Sequence, residues 1–231
     1  MDKFPSRERA TAQALAPRVS AVVVVRDARA GGHAPLDLCL RSAMAEPWID
    51  DLVIVDQGNA PEISATLRAL QADRRDVRLL PVEPGETSAA AANAGAEQAQ
   101  GRWLLFLDPD VVLRRGAVAR MAAAGGGART PWIVGGRLTD TEGRERRVAR
   151  GGALNTWSAI AVAMNWTKKP QARRNKPDDA PEPANVAAVS GSFMLIPRND
   201  FRELGGFDEG FATDGADLDL GLRPRGCEFQ G

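Results

Sequence analysis

The chain has 231 residues, 44% hydrophobic and 26% charged, and its 30 basic and 30 acidic side chains cancel to a formal net charge of zero. That is enough chain for one large domain with a substantial core, and the charge balance argues against a general nucleic-acid binder, which would carry a basic excess. Two cysteines, Cys39 and Cys227, imply no disulfide framework and point to a reducing, cytoplasmic compartment, while a single histidine, His33, gives no basis for a His-dependent triad or a His-rich zinc site.

Residues 1–17 begin Met1-Asp2-Lys3-Phe4-Pro5, charged and without the apolar centre of a signal peptide, and read as a flexible N-terminal arm. No run reaches the ~18 apolar residues of a membrane span. Val19 to Val25 is a β-branched run with the pattern of a buried first strand. Leu36, Leu40 and Met44, spaced by four, predict a helix over Pro35 to Ala45. Leu52-Val53-Ile54-Val55-Asp56 is a second strand ending in an acid; Ile63 to Leu70 is the next helix and Val77 to Val82 the third strand. Ser88 to Gln100 is Ala-rich and favours helix. Trp103-Leu104-Leu105-Phe106-Leu107 is a fourth strand, continuous rather than alternating in apolarity, and so buried on both faces. This alternation predicts an α/β fold with a mostly parallel sheet and helices on both faces.

The fourth strand runs into Asp108-Pro109-Asp110. Carboxylates at the carboxyl end of a strand lie where open α/β sheets bind ligands. Two of them one residue apart suit a hard divalent cation shared with substrate phosphates. An acidic turn opened by Asp-Pro is the alternative.

Further along, Trp132 to Leu138 is a strand candidate, followed by the basic cluster Arg144, Arg146, Arg147 and Arg150, either a solvated loop or a contact for an acidic acceptor or phosphate. Leu154 to Trp166 reads as a helix packed on the sheet, with peripheral membrane contact as the other reading. Lys168 to Pro183 is Pro-rich and charged and reads as a mobile loop, and Ala187 to Pro197 returns to a strand pattern. A last acidic group, Asp214, Asp217 and Asp219, follows Gly205-Gly206-Phe207-Asp208-Glu209.

In this order the elements resemble the family 2 glycosyltransferases, which have the GT-A fold, a Rossmann-like and mostly parallel sheet. The residues that carry the resemblance are Val55-Asp56-Gln57-Gly58-Asn59, Asn93-Ala94-Gly95, Asp108-Pro109-Asp110, Ser190-Gly191 with the apolar strand to Arg198, Gly205 to Glu209, and Ala216-Asp217-Leu218-Asp219-Leu220-Gly221-Leu222-Arg223. The likeness runs from about residue 18 to 228. It implies a single domain over 18–231, with a nucleotide-sugar-binding half over 18–115 and an acceptor half over 116–231 that is short at its C-terminus.

The resemblance also implies roles. Asp56 would bond the donor's nucleotide base, Asn93 would lie near its diphosphate or sugar, Asp108 would meet ribose or metal, Asp110 would hold Mn²⁺ or Mg²⁺, and Asp217 would be the general base. The partners implied are a nucleotide-diphospho-sugar donor and a glycan or lipid-linked acceptor, handled in the cytoplasm or at the inner face of the membrane, in an inverting transfer for cell-surface glycan or glycolipid synthesis. Helix capping is another role open to Asp217 and Asp219. Two departures stand out: Ala216 replaces the family's Glu, and the chain ends at Gly231, where family members usually continue. They make a catalytically weakened, glycosyltransferase-like binding protein the alternative. A sugar nucleotidyltransferase is a third reading, for which Arg26 to Gly32 is a poor imitation of the required phosphate loop.

Overall fold

Continuous apolar runs become the interior strands of one sheet. The structure, a computed structural model, describes residues 19–26, 34–128, 130–140, 142, 150–151, 188–211 and 215–223. The chain order is β1 (Val19–Arg26), α1 (Ala34–Met44), β2 (Ile49–Gln57), α2 (Pro61–Asp73), β3 (Val77–Val82), α3 (Ser88–Gln98), β4 (Trp103–Leu107), α4 (Ala117–Gly125), β5 (Val134–Gly135), β6 (Arg150–Gly151), β7 (Ala188–Val189), β8 (Phe193–Pro197), α5 (Arg198–Glu203) and α6 (Ala216–Leu222). The main sheet has the strand order β3-β2-β1-β4-β8-β5; β6 and β7 form a separate antiparallel pair.

The first four strands are parallel, as expected from their β-α alternation. The last two are not: β8 runs antiparallel to β4, with Leu105 opposite Leu195, and β5 antiparallel to β8. The sheet is therefore mixed.

Period-two alternation divides the strand residues between two cores. Val19, Ala21, Val23 and Val25 of β1 join Leu52, Ile54, Leu105, Leu107 and Leu195 beneath α1, α2 and α4. Val22, Val53, Val55, Leu104, Phe106, Met194 and Ile196 face α3, Phe201 of α5 and Leu220 of α6. Helices thus cover both faces. On the second face Phe106, Phe201 and Phe207 form a triangle with ring centroids 4.8–5.2 Å apart. α3 approaches the sheet closely through small residues: a Cβ on Gly95 would lie 2.6 Å from Val22 Cγ1 and 2.9 Å from Val55 Cγ2.

At the amino end of the sheet, buried Asp51 accepts hydrogen bonds from the Ser20 hydroxyl, the Arg78 guanidinium and, at 3.0 Å, the Gln100 amide. Ser20 Oγ in turn accepts from Gly101 N at 2.7 Å. A buried charge so fully partnered fixes the starts of β1, β2 and β4 against one another.

Two expected strands are shorter than the sequence implies. Of Trp132 to Leu138 only Val134–Gly135 forms a strand, with Gly136 N still donating to Phe193 O at 2.8 Å just beyond it; the Phe193 ring lies where a Gly136 Cβ would stand, so the close approach suits glycine. Ala187 to Pro197 is broken at Ser190-Gly191-Ser192 into β7 and β8, where the Gly191 N–H leaves the ladder for a carboxylate. The 1–17 arm, His33, Arg144, Arg146, Arg147, the 154–166 and 168–183 segments and Cys227 lie outside the described residues.

Candidate active site

The carboxyl edge of the sheet gathers the acids. Asp56, 7% exposed at the end of β2, accepts from Asn59 Nδ2 at 2.6 Å, and the same Nδ2 reaches Val25 O at 2.7 Å. The turn is made by Gly58 at φ 63°, so Asn59 folds back to tie the ends of β1 and β2 together. The neighbouring Gln57 points to the opposite face, donating through Nε2 to Glu86 O at 2.8 Å; its Oε1 is buried with no partner. Beside it in register, Arg26 at the end of β1 donates to Ser88 Oγ at 3.0 Å, at the start of α3.

One strand over, β4 delivers Asp108 and Asp110 to solvent. The chain turns there, Val111 N donating to Asp108 O at 3.1 Å. It then descends along α1, with Cys39 Sγ 3.4 Å from Asp108 O and Leu113 N bonded to Ser42 Oγ at 2.9 Å. The acid pair sets a negative field at this point: the Cys39 thiol is pushed up to about 12, first by burial, then by the charges of Asp110 and Asp108.

The Ser190-Gly191-Ser192 loop joins the acid pair to α6. Asp108 N donates to Ser192 O at 2.9 Å, and Asp217 Oδ2 accepts from Gly191 N at 2.7 Å. Asp217 Oδ1 also accepts from Leu218 N at 2.8 Å. Gly191 suits the approach, since a Cβ there would stand 3.2 Å from Asp217 Cβ, a tight contact. Ala216, where a carboxylate was expected from the resemblance, is half-buried against the second core.

Asn93 sits apart from the acid pair, on α3 against the loop before α6. Its Nδ2 donates to Phe207 O and to Glu209 Oε1, each at 2.9 Å, and its Oδ1 accepts from Phe207 N at 2.9 Å. An open depression of about 540 Å³ lies alongside, lined by residues that include Glu86, Thr87, Asn93, Glu97 and Glu209. Gln57 stands where the family has Asn beside its Asp, a mild departure, while Glu209 has no signal in the sequence beyond its place in the Gly205 to Glu209 motif.

Among the described residues no group of three or more His, Cys, Asp or Glu side chains converges as a closed metal cage. Two exposed carboxylates on one turn fit a different kind of site. Mg²⁺ and Mn²⁺ accept oxygen donors, and Mg²⁺ sites commonly use one or two carboxylates, with water and substrate phosphates completing the shell. No helix among the described residues is long and apolar enough to cross a membrane.

The family model "Glycosyl transferase family 2" matches residues 20–205, from β1 to the loop after α5. The chain belongs to that family. Two relatives place this family member in context. The O-antigen biosynthesis protein RfbC of Myxococcus xanthus is 29% identical over 211 residues, which is 90% of this chain and 16% of that protein. The N-acetylglucosaminyl-diphospho-decaprenol L-rhamnosyltransferase of Mycobacterium tuberculosis is 27% identical over 128 residues, 52% of this chain and 40% of that protein. The chain thus spans well under two thirds of either relative. Among solved structures, the fold is shared with the mannosyltransferase PcManGT of Pyrobaculum calidifontis in complex with GDP-Man and Mn²⁺ (TM-score 0.55, 17% identity, 89% of this chain and 50% of that one). It is shared also with GalNAc-T7 with UDP, GalNAc and Mn²⁺ (TM-score 0.63, 19% identity, 90% of this chain and 40% of that one). The fold of this family 2 chain is the GT-A fold, with a mostly parallel six-stranded sheet.

Proposed function

We propose that the chain is an inverting, metal-dependent glycosyltransferase that moves a sugar from a nucleotide-diphosphate donor to an acceptor hydroxyl. The observation that carries the reading is the Ser190-Gly191-Ser192 loop, whose Gly191 N–H meets Asp217 and whose Ser192 carbonyl meets the Asp108 amide. One loop therefore joins the acid pair that would face the donor's diphosphate to the carboxylate that would face the acceptor.

Asp56 receives the base: its carboxylate is an acceptor, suited to an N–H of the nucleobase. Asp108 and Asp110 hold Mn²⁺ or Mg²⁺, which when bound supplies positive charge for the leaving diphosphate. Asp217, fixed by two backbone N–H groups, accepts the proton of the acceptor hydroxyl. The hydroxyl oxygen then bonds to the anomeric carbon from the face opposite the diphosphate, the carbon–phosphate oxygen bond breaks, and the nucleotide diphosphate leaves. A single displacement inverts the configuration and forms no covalent sugar–protein bond. General-base assistance contributes about 10²–10⁴-fold.

The names of the two relatives, one in O-antigen biosynthesis and one acting on a diphospho-decaprenol-linked sugar, support a glycan or lipid-linked acceptor. The test is a panel of nucleotide-diphospho-sugars assayed for donor hydrolysis and transfer, with and without Mn²⁺. Metal-dependent release of nucleotide diphosphate from one donor is the expected result; no turnover and no binding of any donor would overturn the reading. Ala216 favours a second reading, a protein that binds the donor with little or no transfer. Binding without turnover, relieved by Ala216→Glu, identifies that case.

A further inference from the structure

We infer that Asn93 and Arg223 are positioning residues for Asp217, holding it through the loop before α6. The inference rests on the proposed role of Asp217 as the base. The Asn93 carboxamide has two N–H donors. One reaches Phe207 O and the other Glu209 Oε1, while Oδ1 takes the Phe207 N–H. Both donors are spent, so a phosphate oxygen at Asn93 would have to displace one of these bonds. The paired bonds to Phe207 N–H and C=O imitate a strand rung on an irregular loop. The fit is close: Gly206 adopts φ 71°, and a Cβ there would stand 2.9 Å from Asn93 Oδ1.

Arg223 grips the same loop from the other side. Its NH1 donates to Leu204 O at 2.5 Å and Gly206 O at 2.6 Å, while Nε and NH2 pair with Asp219 Oδ2 at 2.9 and 2.5 Å. α6 has only seven residues, too few to hold a helix unaided. Its place comes from Leu220, buried in the second core, and from anchors at its two ends, Asp217 on Gly191 and Arg223 on the carbonyls of Leu204 and Gly206. Asn93 fixes the stretch of loop that Arg223 grips, and so joins α3 to α6. Loosening that clasp frees Asp217 to drift from the acceptor while the edge of β1, β2 and β4 stays in place.

The test compares the parent chain with Asn93→Ala, Arg223→Lys and Asn93→Asp by amide hydrogen exchange. Calorimetric affinity for UDP and for GDP, each with Mn²⁺, and steady-state kinetics on the donor found active in the panel complete the comparison. The expected result for Asn93→Ala is exchange about tenfold faster over 204–211 and at Gly191, with β2 unchanged. Nucleotide affinity should stay within about threefold and kcat should fall by up to about 10²-fold at constant donor KM. Asn93→Asp sets a carboxylate against both Glu209 and the Phe207 carbonyl and should loosen the loop likewise; adding Glu209→Gln, whose amide can donate, should recover part of the slow exchange, because Phe207 O still lacks its donor. Unchanged exchange in Asn93→Ala, or a tenfold loss of nucleotide affinity with unchanged exchange, would overturn the inference. The exchange and rescue arms decide it even where neither nucleotide binds the parent, a result that would count against the proposed function alone.

Discussion

Gly95 offers a test in which two physical effects of opposite sign compete. It lies inside α3, where replacing Gly by Ala ordinarily stabilises by about 0.8–1 kcal/mol through helix propensity. Here the added methyl would stand 2.6 Å from Val22 Cγ1 and 2.9 Å from Val55 Cγ2. Both valines are buried in central strands, β-branched and stiff at χ1, so neither can turn aside. Overpacking of this kind costs about 1–3 kcal/mol. The net expectation for Gly95→Ala is a loss of roughly 1–2 kcal/mol, the upper part of the difference, because both nearest atoms are closer than normal van der Waals contact. Urea unfolding followed by circular dichroism reads it as a lower midpoint at constant slope. Adding Val22→Ala removes one clash and should recover part of the loss relative to Val22→Ala alone, a positive coupling in a double-mutant cycle. A midpoint raised by Gly95→Ala would mean that helix propensity outweighs the contact and that α3 does not need its close approach.

Other outcomes follow from the same structure. Asp51→Ala should destabilise by about 1–3 kcal/mol, since it leaves the Ser20 hydroxyl and the Gln100 amide without their acceptor, while Arg78, 28% exposed, keeps Gln98 O and reaches water; no loss in urea would contradict the network's role. The Cys39 thiol is raised from its ordinary 9.0 to about 12 in the folded chain, so the unfolded chain ionises first as pH rises. Stability should therefore fall between pH 9 and 12, and the fall should be shallower in Cys39→Ala; identical pH slopes would count against this assignment. Asp56→Ala should weaken nucleotide affinity by about tenfold or more and, because it removes the buried acceptor of Asn59 Nδ2, lower stability by about 1 kcal/mol; an unchanged affinity across UDP, GDP and dTDP would remove Asp56 from the base site.

The first four strands were legible because each is an uninterrupted apolar run bounded by an acid, a turn or a helix with its own periodicity. Their order along the chain carried the helices onto both faces. The direction of β8 was not legible, because nothing in Phe193 to Pro197 records whether the preceding chain arrives from the top or the bottom of the sheet. The break before it depends on Asp217, a partner 26 residues further on. The acids of the candidate site were readable as strand-end carboxylates, and local chemistry suffices for Asp56, Asp108 and Asp110. The surroundings of Asn93 were not, since its clasp joins residues 114 positions apart and leaves no local periodicity. A motif gave its identity; only the three-dimensional contacts give it neighbours.

In the proposed reaction Asp108 and Asp110 serve the donor while Asp217, joined to them by the Gly191 loop, serves the acceptor. The most direct measurement sets nucleotide affinity beside sugar transfer for the parent, Asp110→Asn and Asp217→Asn, with Mn²⁺ and with chelator. In Asp217→Asn the one carbonyl oxygen can still accept from Gly191 N, giving up the bond to Leu218 N, so the loop keeps its anchor. Asp217→Asn is expected to bind the nucleotide as the parent does, with its Mn²⁺ dependence intact, and to transfer sugar about 10²–10⁴-fold more slowly, whereas Asp110→Asn should bind weakly and equally with metal or chelator. Transfer by Asp217→Asn at the parent rate, or parent affinity that chelator leaves unchanged, would contradict these roles.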